Sequence, residues 1–148
     1  DFRITAVDIS LKALMVARKN AVRNAVSDRI TFIESDLYDR LSTSDVKYSL
    51  CVSNPPYIAS REIDSLQPEI RYEPRIALDG GIEGLEFYPR IIKGALSYLD
   101  DGGILLLEAA FNQREEIESI LESLSFCILE RIKDYNNLDR VIVARKGR

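Results

Sequence analysis

Four consecutive residues, Asn54-Pro55-Pro56-Tyr57, carry the sharpest chemical signal in the chain. Two adjacent prolines fix φ twice and remove two N–H donors. Pro55 also biases Asn54 towards an extended backbone. In so stiff a segment the Asn54 side-chain oxygen and the Pro55 carbonyl can point the same way. Two acceptors held side by side suit a planar –NH2 group, because they can take both of its N–H bonds. Tyr57 can stack on that group from the side. An amide or aryl amine is a poor nucleophile, since its lone pair is delocalised. Gripping both N–H groups and aligning the nitrogen with an electrophile offsets part of that handicap. Polarising the N–H bonds favours the charge that develops on nitrogen. The plainer alternative is a Pro-Pro turn that ends a strand, with Asn54 as its cap.

Two acids stand at comparable places. Asp8 follows an apolar run and precedes a helical pattern. A carboxylate there can accept from both hydroxyls of a ribose, or simply cap the helix. Asp36 follows the next apolar run. It can accept from an exocyclic amine such as that of adenine, or be a solvated loop acid. Metal and imidazole chemistry find little support. With two cysteines and no histidine, the usual zinc sets and any Ser-His or Cys-His triad are excluded. Cys51 and Cys127 lie in apolar runs and are expected to be buried and reduced.

The elements that would position these residues follow from periodicity. Residues 2–7 read as a strand, and Ser10 as the N-cap of a helix with Leu11, Leu14, Met15, Ala21, Val22 and Ala25 on one face, interrupted by Arg18. Ile30 to Ile33 form the next strand; residues 37–46 are turn-like. Tyr48 to Val52 form a strand that runs straight into Asn54. Residues 58–83 read as a long loop with one short helix, a length that is usually functional. Leu85, Tyr88, Ile91, Ile92, Ala95, Leu96 and Leu99 mark a helix, and Asp100 to Gly103 a turn. Ile104 to Leu107 read as a fully buried strand. Ile117, Ile120, Leu121 and Leu124 mark another helix. Residues 126–132 and 140–144 form an antiparallel pair, with no helix between them. The alternation implies a single α/β domain over residues 1–148, with a mostly parallel sheet covered by helices. In such sheets ligands bind at the carboxyl ends of strands, where Asp8, Asp36 and Asn54 all fall.

The net charge of −4 argues against tight binding to a phosphate backbone. No apolar run approaches the ~20 residues of a membrane helix. Without a signal-peptide pattern, a cytoplasmic protein is expected.

Val52-Ser53-Asn54-Pro55-Pro56-Tyr57-Ile58, with Glu73-Pro74, Ala77-Leu78, Gly81, Gly84 and Tyr88, resembles the HemK/PrmC family of release factor glutamine N5-methyltransferases. Ala6 to Ser10, Ala13-Leu14, Ala17 and Asn20-Ala21 resemble that family's ribose-binding segment. Leu106-Leu107-Glu108, Asp134 and Asp139 to Val141 resemble its last strands. The resemblance implies a class I S-adenosylmethionine-dependent methyltransferase fold, Rossmann-like, with a C-terminal antiparallel strand pair. It implies that Asp8 and Ile9 bind the cofactor's ribose, and that Asp36 and Leu37 lie along its adenine. Asn54, Pro55, Pro56 and Tyr57 would be catalytic and hold the glutamine side chain of a class 1 release factor's Gly-Gly-Gln motif, with Asn54 also facing the cofactor. The tetrapeptide alone is shared with adenine N6-methyltransferases of DNA or RNA; Glu73-Pro74 and Ala77-Leu78 favour the glutamine enzymes.

The chain departs from the family pattern in three places. Ala109-Ala110-Phe111 stands where a glycine is usual, and Asn136-Asn137 replaces another, though Asn tolerates the left-handed region. No helical recognition domain and no first strand with a Gly-x-Gly loop precede Asp8; the first glycine is Gly80. That strand would lie between those ending at Asp8 and Val52. Its absence implies a fragment with two rows of unpaired backbone groups, weak cofactor binding by the chain alone, and self-association through the open slot. The competing expectation is a non-catalytic remnant packed on a partner chain.

Overall fold

The computed structural model describes residues 2–42 and 46–147, the Arg71 side chain apart. Its order is β1 (Ile4–Asp8), α1 (Leu11–Arg23), β2 (Ile30–Glu34), β3 (Tyr48–Ser53), α2 (Arg75–Leu78), α3 (Phe87–Tyr98), β4 (Leu99–Glu108), α4 (Arg114–Ser123), β5 (Phe126–Lys133) and β6 (Asp139–Lys146). Single 3-10 turns occupy Ser27–Arg29, Ile63–Ser65 and Ile70–Tyr72. The expected alternation is therefore present, and the long loop carries three short helical turns rather than one. Of the turn-like stretch 37–46, residues 43–45 lie outside the described residues. Among the described residues no helix is long and apolar enough to cross a membrane.

The fold divides into two compact units, residues 1–45 and 46–148. In the first, β1 and β2 pair in parallel, Ile4 opposite Ile30 through Asp8 opposite Glu34. Ser10 caps α1 as expected, its hydroxyl accepting from the Ala13 N–H at 3.2 Å. Arg18, which breaks the apolar stripe, lies 4.9 Å over the Phe32 ring and donates to the Phe32 carbonyl. That is cation–π contact plus a hydrogen bond, which explains a charge on this face. Only Leu14 and Ala21 of the helix are buried; Leu11, Met15 and Val22 are not. Two five-residue strands are too narrow to cover a wider stripe.

In the second unit four strands order β3-β4-β6-β5. β3 and β4 are parallel; β6 is antiparallel to both β4 and β5. The expected antiparallel closing pair is thus found, in a mixed sheet. Among the described residues β1 pairs only with β2, and β3 only with β4. Asp100 to Gly103 form no separate turn but a bulge within β4, which shifts the register between Tyr48–Leu99 and Leu50–Ile104. Gly102 takes φ +79° there.

β4 corrects a second expectation. Leu105 and Leu107 are fully buried, whereas Ile104 and Leu106 are half-buried. α3 packs on β3 and β4, α4 on β5 and β6, and the two helices touch each other. Both therefore cover one face, so within this unit the strand alternates. Cys127 is exposed and Cys51 half-buried. Cys127 points outward from the edge strand β5, next to buried Phe126. The core is built from Tyr88, Ile91, Ile92, Leu99, Leu105, Leu107, Ile117 and Leu121. Leu121→Ala should lower unfolding free energy by roughly 2–5 kcal/mol, from lost burial and the cavity left behind. Denaturant titration followed by circular dichroism checks it; a loss under ~1 kcal/mol would contradict this packing.

Candidate active site

The first unit places Asp8 at the carboxyl end of β1, exposed to solvent. Its Oδ1 accepts from the Ser10 N–H at 2.7 Å. The carboxylate therefore orders the entry to α1, whose N-cap is Ser10, and stays exposed. Ile9 beside it is 51% exposed, an apolar surface next to an acid. Asp36 follows β2, half-buried, with its carbonyl accepting from the Asp39 N–H. Leu37 adopts φ +48°, a left-handed conformation that costs energy for a branched side chain. Ser35, almost fully buried, accepts from the Arg40 N–H and closes this turn.

The second unit places Asn54 immediately after β3, exposed, with Pro55 buried and Pro56 and Tyr57 half-buried. The tetrapeptide is anchored from behind. The Ile58 N–H donates to the Leu78 carbonyl at 3.0 Å, the Gly80 N–H to the Ile58 carbonyl at 2.9 Å, and the Ser60 N–H to the Gly81 carbonyl at 2.9 Å. These bonds form a short parallel ladder between residues 58–60 and 78–81. Asp79 locks it, accepting from the Ser60 hydroxyl at 2.6 Å and from the Gly81 N–H at 3.1 Å. Two glycines permit the approach. A Cβ at Gly80 would lie 2.7 Å from the Pro56 carbonyl oxygen, and one at Gly84, where φ is +74°, would collide with the Tyr57 carbonyl.

Tyr57 is held at both ends. Its hydroxyl donates to Glu108 Oε1 at 3.2 Å, at the carboxyl end of β4. Its backbone carbonyl accepts from Gln113 Nε2 at 3.0 Å. Buried Tyr88 donates to the Glu108 carbonyl at 2.8 Å and so fixes the end of the same strand. Arg140 donates to the Ala109 carbonyl and to Asp134, tying the last hairpin to that strand end. The hairpin turn survives the loss of its glycine because Asn137 takes φ +63°.

Glu108, Gln113 and Tyr88 carry no role in the sequence reading, although the periodicity holds a signal for one of them. Gln113, Ile117 and Leu121 are spaced i, i+4, i+8, so Gln113 extends the buried stripe of α4. A polar residue on such a stripe must find partners inside.

Burial pushes the Tyr57 hydroxyl above its ordinary pKa, and the neighbouring Glu108 carboxylate pushes it further, while Arg140 opposes both. Glu108→Gln should lower the Tyr57 pKa without restoring the ordinary value, since the burial remains. Phenolate titration by NMR of tyrosine-labelled protein checks it; an unmoved Tyr57 would contradict the pairing. The Ser60 hydroxyl, the Gly81 N–H and Arg75 hold the Asp79 carboxyl below the usual range. A depressed carboxyl stabilises above its unfolded pKa and loses that contribution as pH falls through the folded value. Stability should therefore drop below about pH 4, and Asp79→Asn should flatten that dependence. Thermal melts between pH 3 and 7 read it.

Comparison with known proteins shows what the chain is similar to. Residues 1–71 match the family described as Methyltransferase small domain. A release factor glutamine methyltransferase of Fusobacterium nucleatum is 44% identical over 145 residues, 97% of this chain and 40% of that protein. A ribosomal protein uL3 glutamine methyltransferase of Francisella tularensis is 42% identical over 113 residues, 76% of this chain and 35% of that protein. Among solved structures, a methyltransferase from Pyrococcus furiosus has TM-score 0.70 at 17% identity, covering 99% of this chain and 64% of that one. Another methyltransferase, SMU.776, solved with SAH, has TM-score 0.67 at 13% identity, covering 97% and 39%. The fold is that of class I S-adenosylmethionine-dependent methyltransferases. The chain spans about half the length of the curated relatives it matches. Over nearly its whole length, this chain is similar to proteins named release factor glutamine methyltransferase.

Proposed function

We propose that this chain supplies the catalytic portion of an enzyme that transfers a methyl group from S-adenosylmethionine to the side-chain amide nitrogen of a protein glutamine. The substrate proposed is the Gly-Gly-Gln motif of a class 1 peptide chain release factor, which places the reaction in the cytoplasm. The observation that carries this reading is the segment Asn54 to Tyr57. It starts exposed at a strand end, stiffened by two prolines and anchored through Tyr57 at both side chain and backbone.

The residues present suit the cofactor. Asp8 keeps its carboxylate in solvent at the end of β1, where ribose hydroxyls can donate to it, and Ile9 offers an apolar surface beside it. Asp36 and Leu37 form a shaped turn at the end of β2. When bound, the cofactor supplies an electrophilic methyl group on a sulfonium. The protein's part is positioning. The Asn54 Oδ1 and the Pro55 carbonyl accept the two amide N–H bonds, and the Tyr57 ring flanks the amide plane. The two acceptors polarise the N–H bonds as nitrogen gains positive character, and after transfer one of those N–H bonds breaks and its proton passes to water. No imidazole is needed, which suits a chain without histidine.

Names of relatives favour an amide over an adenine amine. The Fusobacterium protein is named for release factor glutamine, and the Francisella protein for a ribosomal protein's glutamine. The same grip would serve either protein, so uL3 is the second substrate to test. Among the described residues β1 pairs only with the strand β2 and β3 only with the strand β4, and self-association is a further property to measure.

Labelled cofactor offered with release factor, uL3 and nucleic acid in parallel tests the reading. Label on the Gly-Gly-Gln glutamine is expected, falling ~10²-fold or more in kcat with Asn54→Ala. Label on nucleic acid alone would overturn the reading.

A further inference from the structure

The interior of the second unit holds a buried polar side chain whose bonding reaches the backbone of the tetrapeptide. Gln113, 6% exposed, stands just before α4. Its Nε2 donates to the carbonyls of Tyr57 at 3.0 Å, Gly84 at 3.1 Å and Glu83 at 3.3 Å. Its Oε1 accepts from the Ala110 N–H at 3.2 Å. Three carbonyls on one side and an N–H on the other admit only one orientation of the amide. Two N–H bonds are shared among three acceptors, so every donor is used. The three carbonyls belong to two separate stretches of chain: the tetrapeptide and the loop at residues 83–84.

A helix start needs no such arrangement. The Gln113 side chain makes no capping bond to α4; the cap is backbone only. Gly84 is buried and shaped to this contact, since a Cβ there would meet both the Tyr57 carbonyl and Gln113 Nε2. A side chain that could have capped its own helix instead reaches across to a neighbouring turn.

We propose that Gln113 is a positioning residue for methyl transfer, acting through the Tyr57 carbonyl to set where the Asn54 and Pro55 acceptors stand. The coupling is short. Pro55 and Pro56 have fixed φ, so fewer torsions than usual are left to absorb a shift of the Tyr57 peptide before it reaches Asn54. Displacing a reacting group by ~1 Å can cost on the order of 10²-fold in rate. Gln113 does not meet the amide itself, and its effect reaches only the orientation of the groups that do. The kinetic part of this inference rests on the glutamine-transfer reading; the structural part does not.

The test compares Gln113→Leu, and the softer Gln113→Met, with Leu121→Ala in the same helix, all in the full protein. Leu121 is a core residue with no bond to the tetrapeptide, so it controls for lost stability. Amide hydrogen exchange is read first, at Ile58, Ser60 and Gly80, whose N–H groups are bonded within the ladder, and at Gly84 and Glu86, whose N–H groups bond back to Gly81 and Gly80. Both Gln113 variants should speed exchange there at least tenfold beyond the rest of the unit. Leu121→Ala should raise it evenly. Steady-state kinetics are read second. The Gln113 variants should lower kcat ~10²-fold with KM for the cofactor within twofold, and Leu121→Ala should keep kcat below its melting temperature. Unchanged exchange at residues 58–60 in either folded Gln113 variant would overturn the proposal. So would a kcat loss in Leu121→Ala equal to that of the Gln113 variants. A wild-type protein that leaves glutamine unmethylated would overturn the functional reading instead, and the exchange result would still decide the role of Gln113.

Discussion

The turn after β3 is rich in acceptors and poor in donors. Pro55 and Pro56 contribute carbonyls and no N–H groups, and the chain then folds back so that the Tyr57, Glu83 and Gly84 carbonyls converge on one spot. Buried carbonyls without partners would cost roughly 1–3 kcal/mol each. A single side-chain amide from the start of α4 meets all three. The rest of the second unit is arranged so that this is possible. α4 packs its Ile117–Leu121 stripe on the sheet and thereby delivers Gln113 to its place. Gly80 and Gly84 let two backbones touch. Asp79 clips the loop shut through Ser60 and Gly81.

Rigidity obtained in this way has a chemical use. Asn54 itself is exposed, whereas the residues immediately behind it are buried or hydrogen-bonded. Strain and exposure in the first unit follow the same pattern. Leu37 holds a left-handed backbone at the end of β2, and Asp8 holds an exposed carboxylate at the end of β1. Both features cost stability or contribute little to it. They lie at strand ends, where α/β sheets bind their ligands.

Much of this was legible in the sequence, for identifiable reasons. Strand and helix positions followed from strong periodicity, and Asn54-Pro55-Pro56-Tyr57 from the fixed backbone of two prolines. Asn137 could replace glycine because its side chain tolerates positive φ. Other features depend on tertiary context and were misread. Continuous apolarity in Ile104 to Leu107 suggested burial on both faces, but both helices of that unit lie on one side of the sheet. Cys127 looked buried because its neighbours are apolar, yet it points outward from an edge strand. Glycines at 102–103 looked like a turn and instead bulge a continuous strand. Gln113 escaped notice because one polar residue before a helix resembles an ordinary cap. Only its place at i−4 and i−8 from Ile117 and Leu121 distinguished it. Glu108 needed the fold to bring Tyr57 beside it from 51 residues away.

The central claim is that Asn54 and Pro55 form a two-acceptor grip for a planar amide. A crystal structure of the full protein with S-adenosylhomocysteine and a glutamine-bearing Gly-Gly-Gln peptide tests it most directly. The account predicts the glutamine amide nitrogen at ~2.7–3.2 Å from both Asn54 Oδ1 and the Pro55 carbonyl oxygen, with its plane against the Tyr57 ring. A glutamine amide bound elsewhere, with those two oxygens turned away from it, would contradict the account.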